Sequence, residues 1–119
     1  MIHKTALIDP KAKLNNNVQI GPYCVIGPNV EIGDDTIIQS HVNISGNVKI
    51  GKKNKIYPFV SINDPQDLKY NGEPTNLVIG DNNKIREYVT INPGTVGGGG
   101  KTIIGNNCLF MISSHIAHD

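Results

Sequence analysis

The hydrophobic positions of this chain recur every six residues, which is neither the period of a helix nor that of a strand. From Ile2 to Ile62, every sixth residue is isoleucine or leucine, eleven positions in succession. The same spacing resumes between residues 79 and 91 and again between residues 104 and 116. A short repeat that persists in this way is typical of solenoid proteins, in which each repeat packs on its neighbours.

A second row of mostly small or β-branched side chains lies four positions after these core positions. Cys24 and Cys108 belong to this row, and Asn54 is its exception. We interpret each hexapeptide as a short strand followed by a bend, so that three hexapeptides close one triangular coil. Stacked coils would pair edge to edge at about 4.8 Å. The sequence therefore predicts an all-β fold, a triangular parallel β-helix of nearly six coils, with the cysteines as buried thiols.

The repeat is interrupted twice, which predicts two loops inserted into the solenoid, at about 63–75 and 92–102. The first contains Gln66, Asp67 and Lys69. It is either a solvated excursion or a binding loop, with the lysine meeting a phosphate and the aspartate accepting hydrogen bonds from sugar hydroxyls. The second contains four consecutive glycines without the ending of a phosphate-binding P-loop, which favours a linker or lid.

The last residues, SSHIAHD, carry two histidines that should lie outside the core. With Ile116 as the inward residue, His115 faces outward and His118 lies near a corner, followed by Asp119. Imidazole suits a general base, and a neighbouring carboxylate could orient it. Solvated histidines, or a zinc site completed by another subunit, remain alternatives.

Composition excludes several classes of function. A net charge of +1 gives no electrostatic case for binding nucleic acid. No stretch approaches the roughly 20 apolar residues that cross a bilayer, and the N-terminal residues lack the apolar core of a signal peptide. We expect a cytoplasmic protein with reduced cysteines.

The segments NDPQDLKYNGEPT, IREYVTINPGTVGGGG and SSHIAHD, set between hexapeptides, resemble the bacterial UDP-N-acetylglucosamine O-acyltransferases of lipid A biosynthesis over the whole sequence. The resemblance implies a left-handed β-helix, without cofactor or bound metal. It also implies transfer of an (R)-3-hydroxyacyl chain from acyl carrier protein to the 3-hydroxyl of UDP-N-acetylglucosamine. Family members are homotrimers with active sites between neighbouring β-helices.

The resemblance also implies roles for individual residues. His118 matches the general base of the family, and Asp119 matches the carboxylate that supports it. Asp67 and Lys69 match residues of the first loop that contact substrate, Gln66 lies beside them, and His115 matches a further active-site histidine.

The family continues for several coils and a helical domain beyond the position of Asp119. We therefore expect this chain to correspond to the N-terminal part of such an enzyme and to have negligible transferase activity alone. Three alternatives remain: another hexapeptide acyl- or acetyltransferase, a zinc-dependent hexapeptide carbonic anhydrase, and a β-helix module without catalytic function.

Overall fold

The structure is a computed structural model that describes residues 1–63, 76–91, 101–112 and 114–116. Within these ranges the chain forms sixteen short strands. The described residues include no helix that is long and apolar enough to cross a membrane. In chain order the strands are β1 (Leu7–Ile8), β2 (Lys13–Leu14), β3 (Gln19–Ile20), β4 (Val25–Ile26), β5 (Val30–Ile32), β6 (Ile37–Ile38), β7 (Asn43–Ile44), β8 (Asn47–Ile50), β9 (Lys55–Ile56), β10 (Ser61–Ile62), β11 (Asn76–Ile79), β12 (Lys84–Ile85), β13 (Thr90–Ile91), β14 (Lys101–Ile104), β15 (Leu109–Phe110) and β16 (His115–Ile116).

The strands form three parallel sheets, and every third strand returns to the same sheet. Face 1 has the order β1-β4-β7-β10-β13-β16, face 2 the order β2-β5-β8-β11-β14 and face 3 the order β3-β6-β9-β12-β15. An isolated parallel bridge between Ile2 and Ile20 extends face 3 towards the N-terminus. The predicted solenoid of triangular coils is therefore confirmed.

The core positions stack as continuous isoleucine columns inside the prism. On face 1, Ile44 pairs in register with Ile62, Ile62 with Ile91, and Ile91 with Ile116. From Ile20 to Ile91, these inward residues are at most 2% exposed. Each such side chain stabilises the fold by about 1.5–3 kcal/mol through burial of its apolar surface. This register continues across both interruptions of the repeat.

The second, smaller row also points inward, as predicted. Cys24 is fully buried and its thiol donates to the carbonyl oxygen of Gln39 at 2.8 Å. Burial raises the pKa of the Cys24 thiol. Cys108 is only partly buried, contrary to expectation, because no described strand packs beyond its coil. Both cysteines are free thiols.

Asn54, the exception in the small row, belongs to a buried polar column. Thr36, Asn54 and Asn83 occupy equivalent positions in successive coils and are at most 1% exposed. The amide of Asn54 donates to Gly80 O and accepts from the backbone N–H of Asn83, each at 2.8 Å. The amide of Asn83 repeats this pattern with Gly105 O and the N–H of Cys108. The column thus links four consecutive coils through side-chain hydrogen bonds.

Two corners of the prism are turned by residues with left-handed backbone. The corner between faces 2 and 3 uses polar residues suited to this conformation, with φ between 56° and 60°: Asn17, Asp35, Lys53, Asn82 and Asn107. The corner between faces 3 and 1 uses Tyr23, His41, Phe59 and Tyr88, with φ between 56° and 63°. Their rings stack on one another with centroids 4.9–5.3 Å apart. His41 lies within this stack, between Tyr23 and Phe59.

The third corner, between faces 1 and 2, is where the coil length changes. Three positions separate Ile44 from Asn47, whereas fourteen separate Ile62 from Asn76 and ten separate Ile91 from Lys101. Strand β14 begins at Lys101, so residues 101 and 102, expected in the second loop, belong to face 2. Thr102 is buried there because it takes the inward position that Val48 and Leu77 hold in preceding coils.

Candidate functional site

Most of the predicted site residues follow strands of face 1 in the sequence. Strands β10, β13 and β16 end at Ile62, Ile91 and Ile116, which pair in register in three consecutive coils. The segment with Gln66, Asp67 and Lys69 follows the first of these strands, and His118 and Asp119 follow the third. All five residues lie outside the described ranges, so their roles remain predictions. The topology brings their points of attachment to neighbouring strand ends.

His115 is the one predicted site residue that the structure describes. It is exposed on the outer surface of β16, opposite Thr90 of β13, so its predicted outward orientation is confirmed. The Oγ1 atom of Thr90 lies 2.5 Å from Nδ1 of His115, within hydrogen-bonding distance. The other ring nitrogen, Nε2, is therefore the atom left for a ligand.

Sequence reasoning missed Thr90. Thr90 and His115 each precede a core isoleucine and face outward from the same sheet, a relation that could have been found by aligning the core positions. Their separation is 25 residues rather than the 18 of an uninterrupted coil, because the second interruption lies between them. The sequence therefore contains the information that relates Thr90 to His115, but using it requires the correct pairing of coils across that interruption.

The outward row of face 1 changes character along the solenoid. It begins with Leu7 and Val25, which are 69% and 46% exposed. The following members of the row, in register, are all polar: Asn43, Ser61, Thr90 and His115. The polar part of face 1 therefore includes β10 and β16, the strands that precede the predicted site segments in the sequence.

Two side chains that flank strands of face 1 carry buried polar atoms without a hydrogen-bond partner among the described residues. Asn63 is 4% exposed, has φ of 71° and donates from its amide to Ser45 O, but its Oδ1 has no such partner. The hydroxyl of Ser114, directly before His115, also has no hydrogen-bond partner among the described residues. Buried polar atoms are normally hydrogen-bonded, so both mark places where polar contacts are expected.

Face 2 contributes a shallow groove at the same corner. Its volume is about 370 Å³ and its lining includes Asn29, Asn47 and Asn76, which stand in register on adjacent strands or turns, together with Glu31 and Lys49. Amide groups offer both donors and acceptors, and Val48, Leu77 and Val78 complete the lining, so the groove presents polar and apolar surface together. Within the described part of the chain, no three histidine, cysteine, aspartate or glutamate side chains are grouped to hold a metal ion.

Comparison with known proteins identifies relatives of the whole chain. A family model described as "Bacterial transferase hexapeptide (six repeats)" matches residues 1–33 and 11–46. Acyl-[acyl-carrier-protein]–UDP-N-acetylglucosamine O-acyltransferases from Rickettsia peacockii and Thermodesulfovibrio yellowstonii are each 54% identical over 99% of the chain. The crystal structure of UDP-N-acetylglucosamine O-acyltransferase (LpxA) from Moraxella catarrhalis is 54% identical, covers 99% of the chain and has a TM-score of 0.95.

Over nearly its whole length, the chain is similar to UDP-N-acetylglucosamine O-acyltransferases from several bacteria. It spans 45–46% of the length of these curated relatives and 46% of the Moraxella chain. The match to this acyltransferase family also gives the hand of the solenoid, a left-handed parallel β-helix, as the resemblance implied.

Proposed function

We propose that this chain forms the part of an acyltransferase active site that binds the sugar nucleotide and supplies the general base. The reaction is transfer of an (R)-3-hydroxyacyl chain from acyl carrier protein to the 3-hydroxyl of UDP-N-acetylglucosamine, the first step of lipid A biosynthesis. The observation that carries the proposal is the identity of 54% across 99% of the chain, which includes both interruptions and the terminal SSHIAHD.

In the proposed reaction, the imidazole of His118 accepts the proton of the sugar hydroxyl as its oxygen attacks the thioester carbonyl. A new ester bond forms, the carbon–sulfur bond breaks, and the proton passes from the imidazolium to the departing thiolate of the carrier protein. Asp119 orients the ring and stabilises its cationic form. No metal ion and no cofactor takes part.

The remaining residues act on the substrate rather than on the reacting proton. Asp67 accepts hydrogen bonds from sugar hydroxyls, Lys69 meets a phosphate as a point charge, and Gln66 contributes beside them. His115 is exposed on the outer surface of face 1, so it can line a pocket only against a second surface. We propose that a neighbouring copy in a homotrimer supplies that surface. We also propose that the chain acts in the cytoplasm, as expected from the sequence.

The test is a chimera in which residues 1–119 replace the corresponding segment of the Moraxella enzyme. We expect the chimera to form UDP-3-O-acyl-N-acetylglucosamine from (R)-3-hydroxyacyl carrier protein at a rate close to that of the intact enzyme. In the chimera, His118→Ala should lower kcat by about 10²–10⁴-fold, the usual contribution of a general base.

Two controls make the test decisive. His3→Ala removes a histidine that contacts only its own turn and the neighbouring coil, and it should leave the rate unchanged. Acyl-CoA in place of the acyl carrier protein should be a poor donor. A correctly folded chimera that binds UDP-N-acetylglucosamine but transfers no acyl chain, or whose rate survives the His118 substitution, would contradict the proposal.

A further inference from the structure

The contact between Thr90 and His115 joins two strands that belong to consecutive coils. The two residues are direct partners in the parallel pairing of β13 with β16, and both face outward. The backbone N–H of Thr90 also donates to Ser114 O at 3.2 Å, so the threonine is fixed to the segment that carries the histidine. Since β-branched side chains are stiff at χ1, the hydroxyl has little freedom to leave the imidazole.

We propose that Thr90 is a positioning residue: its hydroxyl donates to Nδ1 of His115 and keeps the ring proton on Nε2, the nitrogen that faces the ligand. This inference rests on the proposed function for its ligand, a sugar nucleotide. It makes His115 a hydrogen-bond donor towards an oxygen of that nucleotide, rather than a second base.

The physical basis is that the two nitrogens of a neutral imidazole have different hydrogen-bonding roles. One nitrogen carries a proton and the other accepts, and the hydrogen bond made by one decides the state of the other. A threonine hydroxyl can donate to Nδ1 as well as accept from it, whereas a backbone carbonyl or a carboxylate would force the proton onto Nδ1. His115 and His118 then differ in role: one donates to substrate, and the other accepts the proton in the reaction.

The chain contains an internal reference for this arrangement. Nδ1 of His3 lies 2.9 Å from Thr5 Oγ1 and accepts the backbone N–H of Thr5 at 3.2 Å. Because a backbone N–H can only donate, His3 must carry its proton on Nε2. His3 therefore provides, in the same molecule, the spectrum expected of that tautomer.

The test is a long-range ¹H–¹⁵N correlation spectrum of the 119-residue chain, recorded at the alkaline end of a titration where the rings are neutral. We expect His115 to show the pattern of the Nε2–H tautomer, matching His3. Thr90→Val, which keeps the shape but removes the hydroxyl, should move the His115 nitrogen shifts towards a mixture of tautomers, and Thr90→Ser should restore them. Thr5→Val should perturb His3 and leave His115 unchanged.

Titration with UDP-N-acetylglucosamine supplies a second readout. Thr90→Val should weaken binding about five-fold, the usual effect of one hydrogen bond, and Thr90→Ser should recover it. An Nδ1–H pattern in the unmodified chain, or a Thr90→Val variant with unchanged ring signals and unchanged affinity, would overturn the inference. If the unmodified chain binds no UDP-N-acetylglucosamine, the proposed function fails, while the spectrum still decides the role of Thr90.

Discussion

Asn83 shows how one residue can join three coils from inside the solenoid. Its backbone N–H donates to Asn54 Oδ1, and its own amide donates to Gly105 O and accepts from the N–H of Cys108, each at 2.8 Å. Backbone groups that face the interior at a bend have no strand partner to satisfy them. The asparagine amide provides a donor and an acceptor at once, which a valine in the same row does not.

We predict that Asn83→Ala lowers the free energy of unfolding by about 2–4 kcal/mol, because it leaves one backbone donor and one backbone acceptor without partners. Urea denaturation followed by circular dichroism measures this. Asn29→Ala is the matched control, since Asn29 is exposed at a corner, and its effect should be within about 0.5 kcal/mol. Equal effects of the two substitutions would contradict the role given to the column.

At the scale of single residues, the sequence predicted which positions face inward but not what the polar ones do. The six-residue period places Asn54 in the interior because most members of its row are small or β-branched. Its hydrogen bonds depend on which backbone groups lie one coil away, and this requires the spatial register. Thr90 was missed for the same reason, since its partner is in the next coil.

Among the elements of the solenoid, the corner between faces 3 and 1 is the least expected. Large aromatic residues avoid positive φ, where they are destabilised by roughly 1–2 kcal/mol. Phe59 nonetheless has φ of 63° and stacks between His41 and Tyr88, with ring centroids 4.9 and 5.3 Å away. Stacked pairs contribute about 0.5–1.5 kcal/mol each. Two such pairs offset the backbone strain of the turn.

This balance predicts an unusual order of stabilities at position 59. Phe59→Ala loses both stacking contacts and keeps the backbone strain, whereas Phe59→Gly loses the contacts but relieves the strain. We expect the glycine variant to be the more stable of the two by about 1 kcal/mol, measured by thermal or urea unfolding. At Val25, an exposed strand position, the alanine variant should instead be the more stable. The same order at both positions would contradict the account.

At the scale of the whole molecule, face 1 divides into an apolar part at Leu7 and Val25 and a polar part that ends at His115. His115 belongs to this polar part, and the other five predicted site residues follow its strands β10 and β16 in the sequence. The sequence predicted the fold more completely than the site. The period alone gave the coils and the inward rows. The positions of Gln66, Asp67 and Lys69 could not be predicted because interrupted segments have no period, and specific roles for these residues, His118 and Asp119 came from the resemblance.

The proposal that neighbouring copies complete the site predicts the state of association. Sedimentation equilibrium of the 119-residue chain should give a mass of about three times 12.9 kDa, the mass of one chain. Dilution should show whether the trimer persists at low concentration. A single species of monomer mass at all concentrations would contradict the proposal that neighbouring copies complete the site.

The corner between faces 1 and 2 has a consequence for how such a protein can change over time. Coils of 18, 29 and 25 residues superimpose the same isoleucines on one another, as the pairs of Ile44, Ile62, Ile91 and Ile116 show. The length of the segment at this corner is therefore independent of the pairing on either side of it. Insertions and deletions can accumulate there, and new specificities can arise, while the hydrogen bonds of the prism stay the same. The solenoid therefore acts as a scaffold that accommodates segments of different length at the corner between faces 1 and 2.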